Sequence, residues 1–385
     1  MTGSGTATLL RPAAPDELPR ALAAALDGGP PVAPLPPDPV ERDRAVRALR
    51  LDEPAEPDAA VVVLSSGSTA EPKAVVLTTA AVRAGAAATH DRLGGPGHWL
   101  LALPTHHVAG LMVLARAHLA GTAVVPLSRD LSDLASADLP AGRRYLSVVP
   151  TQLVRALEQP ALVVALAGLD AVLVGGGATD PALLARARAA GVPCVTTYGM
   201  SETCGGCVYD GVPLDGVDVR VEDDGRVSIA GPVLFSGYRG RPDLSAEALV
   251  RGRFRTADRG RWAPAPAGPA RLEVLGRTDD VVVSGGFNVD LAAVEARAHA
   301  WPGRGTAELA VVGVPDARWG TEVVAVTDRP LALADLQAWV RAELPAYAAP
   351  RRLVVLDALP RTGGDKVDRR RLQSELSGPG PGSPR

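Results

Sequence analysis

Residues Val61 to Leu77 read VVVLSSGSTAEPKAVVL, and the division of that run decides the fold. Three valines and a leucine predict a buried strand. Small hydroxylic residues, a glycine and a lysine follow, the composition of a turn wrapped around an anion. Ser65, Ser66, Ser68 and Thr69 offer hydroxyl donors, Gly67 lets backbone N–H groups approach closely, and Lys73 brings a mobile positive charge. Together they predict a cradle for a polyphosphate, hence a nucleotide. The bland alternative is a Ser/Thr-rich hairpin turn between two valine strands. The usual P-loop does not apply: counted from Gly67, it needs Gly at 72 and Ser or Thr at 74, where the chain has Pro72 and Ala74.

At 385 residues the chain exceeds what one core usually supports, so two domains are expected, one much the larger. Hydrophobic residues make up 46% and charged residues 22%, which excludes wholesale disorder. A net charge of -3 argues against nucleic acid as a general partner; the Arg369 to Arg371 cluster reads as a solvated face. The longest apolar run, Ala161 to Val174, is interrupted by Asp170 and is too short to cross a membrane. The N-terminal residues lack the basic start and apolar core of a signal peptide, so the expected location is cytoplasmic with no integral membrane association. Cys194, Cys204 and Cys207 fit a reducing compartment. The lone C-x-x-C at Cys204 and Cys207, with no second pair or nearby histidine, reads as packing rather than a zinc site.

Along the chain, amphipathic stretches predict helices over Leu18 to Leu26 and Val40 to Leu51, joined by a proline-rich link from Pro30 to Pro39. Thr79 to Leu93 is alanine-rich and helical in pattern, ending at Gly94-Gly95-Pro96. Strand-like and helix-like runs then alternate: Trp99 to Leu103, Leu111 to Leu119, Ala123 to Leu127, Tyr145 to Val149, Thr151 to Leu157, Leu169 to Val174 and Pro181 to Ala190. That alternation predicts parallel sheets with βαβ crossovers. Val217 to Val274 reads as short strands of a small antiparallel or barrel-like unit. Beyond Gly276, strands at Val281 to Val283, Leu309 to Val312 and Val323 to Val326, with helices at Leu291 to Ala300 and Leu333 to Leu344, predict a small α+β domain. The expected division is 1–276, 277–375 and a disordered tail, 376–385.

SSGSTAEPKA, at Ser65 to Ala74, resembles the phosphate loop of the adenylate-forming acyl-CoA synthetase superfamily, with Ala70 where glycine is usual. The resemblance is sharpest at YGMSET, Tyr198 to Thr203, and extends from Val61 to Leu372. It implies the adenylate-forming fold, with ATP, Mg2+ and coenzyme A as ligands and a small-molecule carboxylic acid as substrate. It also implies roles. Gly175, Gly176 and Gly177 would lie along adenine, Tyr198 would stack on it, and Gly199 and Met200 would line the nucleotide, Gly199 bordering the acyl pocket as well. Thr203 would bond a phosphate oxygen, and Glu202 would hold Mg2+ through one carboxylate, a sparse ligation that suits a cation retaining waters. In RTADRG, Asp258 would accept the ribose hydroxyls, with Ala257 in place of the usual glycine. Arg277 would contact ribose or phosphate, Asp279 would sit at the interdomain hinge, and Gly285 and Gly286 would let the pantetheine arm pass. In PRTGGDKVDRRRL, Lys366 falls on the position of the catalytic lysine, with Asp365 beside it.

LPTHHVAG places His106 and His107 at a strand end, where the superfamily lines its acyl pocket, and His107 takes the position tied to catalysis. The wording there, and in SVVPTQLVRAL, is most similar to superfamily members that act on an aromatic dicarboxylic acid. Such a substrate keeps a second carboxylate in need of a partner, for which His107, Thr151 and Arg155 are the candidates. Ligases of other aryl or acyl groups, and enzymes that load carrier proteins, share the same ATP chemistry. Whether the chain forms a homodimer is left open.

Overall fold

The computed structural model describes residues 8–65, 72–265, 268–362 and 366–377. Ser66, Gly67, Ser68 and Thr69 of the expected phosphate loop lie outside the described residues, as do Ala70, Asp365 and the tail from 378. The chain divides into two compact units: Met1–Arg220, Ser228–Thr256 and Ala263–Leu272 form the first, and Val221–Val227, Ala257–Trp262 and Glu273–Arg385 the second.

In the first unit, AAVVVL at Ala59–Leu64 forms the strand its β-branched run predicts, with Ala60 to Val63 fully buried. On one side it completes a parallel crossover from Val32–Pro34 through the helix Pro39–Leu49, but its next connection is of another kind. Its other partner is the next strand, Ala74–Thr78, paired antiparallel from Ala59↔Thr78 to Leu64↔Ala74. The physical reason is length, because a parallel return needs roughly a dozen residues or more and the loop between these strands is shorter. Arg11–Ala13 and Val32–Pro34 add parallel strands on one side, and Gly237–Tyr238 pairs antiparallel on the other. The proline-rich link therefore contains a strand, and the first sheet is mixed rather than parallel. The N-terminal helices are Leu18–Leu26 and Pro39–Leu49; the second stops two residues short of Leu51 because Arg50 turns left-handed.

The second sheet meets the parallel expectation over its central strands. Val124–Pro126, His98–Leu101, Arg144–Val148, Ala171–Val174 and Cys194–Met200 pair in parallel, and Gly205–Tyr209 and Val212–Pro213 extend it antiparallel. Thr79–Arg92 is capped by the Thr78 hydroxyl, which accepts from Ala81 N at 3.1 Å. Val108–Ala120 ends at Gly121, in the left-handed conformation. Pro160–Ala167 is a further helix, lying across the start of the long apolar run. Short strands between Asp218 and Arg277 follow an open order, so the barrel-like unit is a sheet without closure.

In the second unit, Phe287–Asp290, Val281–Ser284, Gly320–Thr327 and Leu309–Asp316 form a sheet, with Arg352–Val355 parallel to Gly320–Thr327. Alternate residues of its strands serve opposite faces: Leu309, Val311, Val323 and Ala325 pack under the helices Leu291–His299 and Leu333–Arg341, while Ala310, Val312, Val324 and Val326 pack with Leu372 of Arg369–Ser377. That last helix takes residues 376 and 377 out of the expected tail. Among the described residues, no helix is long and apolar enough to cross a membrane.

Candidate functional site

The short strand Gly237–Tyr238 brings a tyrosine to the base of the phosphate loop. Ser65 N donates to Lys73 O at 2.9 Å, so the loop springs from a closed pair, and the Lys73 ammonium lies 4.9 Å from the centre of the Tyr238 ring. The Tyr238 hydroxyl donates to Glu202 Oε1 at 2.9 Å. Tyr238 and Glu202 are both buried. Burial first, and then the Glu202 carboxylate, raises the Tyr238 pKa, so the phenol stays a donor. Ser65 Oγ is buried with no hydrogen-bond partner among the described residues, a group that needs an acceptor from outside.

The turn that carries Glu202 is tightly built. Thr203 is buried; its hydroxyl accepts from Met200 N at 2.9 Å and donates to Gly205 O at 2.7 Å, so this side chain closes its own turn. A Cβ on Gly199 would stand 2.0 Å from Gly205 O, and one on Gly175 would stand 2.1 Å from Thr197 Oγ1. Both glycines are therefore demanded by close approach. Gly176 and Gly177 are exposed beyond the end of Ala171–Val174, and half-buried Tyr198 lies on the neighbouring strand. Cys204 and Cys207 are fully buried and their thiols are pushed up to about 12 by desolvation, which leaves them as packing groups.

On the acyl side, His106 and His107 meet with ring centres 4.3 Å apart at the start of Val108–Ala120. Burial, then the charge of Arg129, lowers the His106 pKa. Gly110 permits this entry, since a Cβ there would stand 2.3 Å from Pro104 O. Gln152 ties the neighbouring segments, donating to Ala102 O at 3.2 Å and Arg129 O at 2.7 Å. Thr151 is half-buried beside it. Arg155 is exposed, because the inward side of Pro150–Ala156 is taken by Gln152, Leu153 and Ala156. It is not a buried counter-charge. A buried guanidinium is found instead at Arg116, which is 4% exposed, with its guanidinium carbon 4.9 Å from the Trp99 ring centre and Nε without a hydrogen-bond partner among the described residues.

The second unit gathers its own set. Arg277 grips Asp279 with two bonds, 2.8 and 2.9 Å, and reaches Asp258 Oδ1 at 3.4 Å. Thr278 donates to Ala257 O at 3.1 Å. Asp258 is buried and Asp279 exposed. Lys366 is solvent-accessible as a residue, yet the protein around its ammonium lowers its pKa, desolvation contributing most and the Arg277 charge next, with Asp258 opposing. Lys366, Arg277 and Asp258 thus share one electrostatic neighbourhood. Gly285 and Gly286 are exposed, both at positive φ, at the turn between Val281–Ser284 and Phe287–Asp290.

The family model of the AMP-binding enzyme matches residues 6–239, and that of the AMP-binding enzyme C-terminal domain matches 294–366. The chain belongs to the AMP-binding enzyme family. Among relatives of this AMP-binding enzyme, a probable 2-succinylbenzoate–CoA ligase of Mycobacterium tuberculosis is 46% identical over 353 residues, 88% of this chain and 90% of that protein. The o-succinylbenzoate CoA synthetase of Bacillus subtilis, in complex with the acyl-adenylate intermediate OSB-AMP, superposes with a TM-score of 0.71 at 26% identity, covering 92% of this chain and 80% of that one. The same Bacillus protein in complex with ATP and magnesium ion gives a TM-score of 0.70 at 26% identity, over 92% and 81% of the two chains. The fold is that of adenylate-forming enzymes.

Two residues of this AMP-binding enzyme escape the motif reading. Tyr238 pairs with a strand more than 150 positions earlier in the chain, and no local pattern announces that. Arg116 does carry a signal: it is the one charge inside the apolar run Leu111 to Leu119. A lone arginine among buried aliphatics needs a reason.

Proposed function

We propose that this enzyme joins 2-succinylbenzoate to coenzyme A through an acyl-adenylate, the ligation step in menaquinone biosynthesis. The observation that carries the choice of acid is the 46% identity with the mycobacterial ligase; to the acid's second carboxylate we assign Arg116, a buried guanidinium without an acidic partner among the described residues. The likeness runs over nearly the whole length of that relative.

The donor set fits magnesium. Glu202 offers one oriented carboxylate, no cluster of three or more His, Cys, Asp or Glu side chains occurs among the described residues, and magnesium suits so sparse a set because it keeps waters and takes phosphate oxygens. When bound, the ion would neutralise phosphate charge. The chain's own residues do the rest. Ser65 and Lys73, with Ser66, Gly67, Ser68 and Thr69, hold the β- and γ-phosphates; Gly175 to Gly177, Tyr198, Gly199 and Met200 take the adenine side; Asp258 accepts the ribose hydroxyls and Arg277 steadies it. Thr203 shapes the turn that presents Glu202.

A carboxylate oxygen of the acid attacks the α-phosphorus of ATP, the bond to the bridging oxygen breaks, and pyrophosphate leaves. Two anions must meet, so the step needs fixed positive charge, which Lys366 supplies between acyl and phosphate oxygens. The thiolate of coenzyme A then attacks the acyl carbon and AMP departs with the anhydride oxygen. For this second step the C-terminal domain, residues 277–375, turns about Asp279 against the larger domain, residues 1–276, withdrawing Lys366 and admitting the pantetheine arm along Gly285 and Gly286. His107, His106 and Thr151 line the acyl pocket. The reaction is placed in the cytoplasm, which accords with three unpaired cysteines.

The test is AMP release on addition of coenzyme A with 2-succinylbenzoate, benzoates or fatty acids as the acid. Preference for the succinyl compound is expected, and equal use of monocarboxylates would defeat the assignment.

A further inference from the structure

The Tyr238 side chain has two neighbours of opposite charge at two different places on one ring. Lys73 lies over the face, 4.9 Å from the centre, where the π cloud attracts a cation. Glu202 lies at the edge, accepting the phenol proton at 2.9 Å. The ring itself is anchored from several directions: Tyr238 N donates to Ser245 Oγ at 2.8 Å, Phe235 packs against it with ring centres 4.8 Å apart, and the next residue, Arg239, is bound to the 49–56 segment through five hydrogen bonds. A side chain so fixed can set the position of what it touches.

We propose that Tyr238 is a positioning residue for the ATP step: its hydroxyl aims the Glu202 carboxylate at a magnesium nucleotide, and its face gives Lys73 a resting place at the mouth of the phosphate loop. The proposal rests on the functional reading above and adds to it a group that touches neither acid nor nucleotide in that reading. Its physical basis is that a carboxylate ligand with one oxygen tied loses less freedom on meeting the metal. The same ring gives the Lys73 ammonium a fixed place without requiring a direct pairing with Glu202.

The two halves of the ring's work separate in two variants. Tyr238→Phe keeps the face and removes the hydroxyl; Tyr238→Leu removes both. ATP binding is measured by calorimetry at several Mg2+ concentrations and without Mg2+, and Mn2+ bound in the presence of a non-hydrolysable ATP analogue is counted by electron paramagnetic resonance. For Tyr238→Phe the divalent cation needed for half-maximal binding rises about tenfold or more, the usual cost of losing a partner of a metal ligand, while metal-free ATP affinity stays within about twofold. For Tyr238→Leu metal-free affinity falls too. Thermal unfolding of each variant identifies loss of fold, and Tyr238→Phe, which keeps the packing ring, should melt within a few degrees of the parent. Unchanged cation dependence in a folded Tyr238→Phe overturns the proposal. If the parent enzyme itself binds ATP without regard to Mg2+, the assignment of Glu202 falls and the proposal with it, an outcome distinguished by appearing before any substitution.

Discussion

The Arg116 guanidinium carbon stands 4.9 Å from the centre of the Trp99 ring, so this buried cation is held by an aromatic face rather than by a carboxylate. Cation–π contact offsets part of the desolvation cost but leaves Nε–H without an acceptor among the described residues. A site arranged in that way favours an incoming anion over a neutral group. We expect Arg116→Leu to raise the KM for 2-succinylbenzoate by roughly 30-fold or more, the value of about 2–3 kcal/mol for a hydrogen bond to a charged group. Benzoate, which has no second carboxylate, should be used no worse by the variant than by the parent. Parallel KM measurements with both acids check this, and an equal loss for both would assign Arg116 to packing alone.

In the proposed mechanism Lys366 serves the adenylation half-reaction, and its electrostatics make that role testable. Its lowered pKa means that the charged form is lost at a lower pH than for an ordinary lysine. The rate of pyrophosphate exchange into ATP, which reports adenylation, should therefore fall on the alkaline side before a free lysine would titrate. Arg277→Gln removes a lowering charge and should move that limb up; Asp258→Asn removes a raising charge and should move it down. Lys366→Ala should abolish exchange yet spare thioester formation from supplied acyl-adenylate. Equal loss of both activities would sink the division of labour, and a limb indifferent to both neighbours would sink the electrostatic account.

Much of this was legible because local and global preferences agree. AAVVVL can hardly be other than a buried strand, and the Thr78 cap with Gly94 at φ +86 brackets a helix read to within one residue. The antiparallel partner of Ala59–Leu64 was open to reading as a turn between two valine strands, because so short a loop leaves no room for a crossover; its parallel neighbour Val32–Pro34 was not, since it lies in a proline-rich link. Arg352–Val355 escaped because its first residue is charged; Arg352 meets Glu322 at 3.1 Å on the adjoining strand, a pairing visible only in three dimensions. Motif reading names Glu202 but not Tyr238, whose hydroxyl donates to it, and it offers His107, Thr151 and Arg155 as partners for a second carboxylate, of which Arg155 is exposed, without singling out the buried Arg116.

Arg239 is a single buried clamp on the N-terminal segment. Its side chain is 1% exposed and donates to Leu49 O, Pro54 O, Arg50 O, Glu53 O and the Glu56 carboxylate at 2.6–2.9 Å. Removing it takes five hydrogen bonds from this segment at once, although Arg50 O keeps the one from Glu53 N. Arg239→Ala should destabilise the protein by about 3–5 kcal/mol, as for breaking a buried charged network. Arg239→Lys should recover only a fraction of that, because an ammonium has three donors and no planar fork. Denaturant titration of both variants measures it; a loss below about 1 kcal/mol for alanine would show the segment to be held by its apolar contacts instead.

His90 supplies the pH dependence of the fold. It is buried, and Trp99 Nε1 donates to His90 Nε2 at 3.2 Å, which requires that nitrogen to be unprotonated. Burial first and then the Arg116 charge lower its pKa from 6.5 to about 4. In the unfolded chain His90 takes a proton near 6.5, so between those two values the unfolded state binds more protons and stability rises with pH. The stabilising contribution is complete above about pH 6.5 and is lost as the pH falls towards 4. At about 1.4 kcal/mol per unit of pKa the loss is roughly 3 kcal/mol. His90→Gln can still accept from Trp99 but does not titrate, so its unfolding free energy should show a correspondingly smaller slope across that window. Urea unfolding of parent and variant at several pH values from neutral down to about 4.5 provides the comparison, and parallel curves would mean that His90 keeps the same charge state in both forms of the chain.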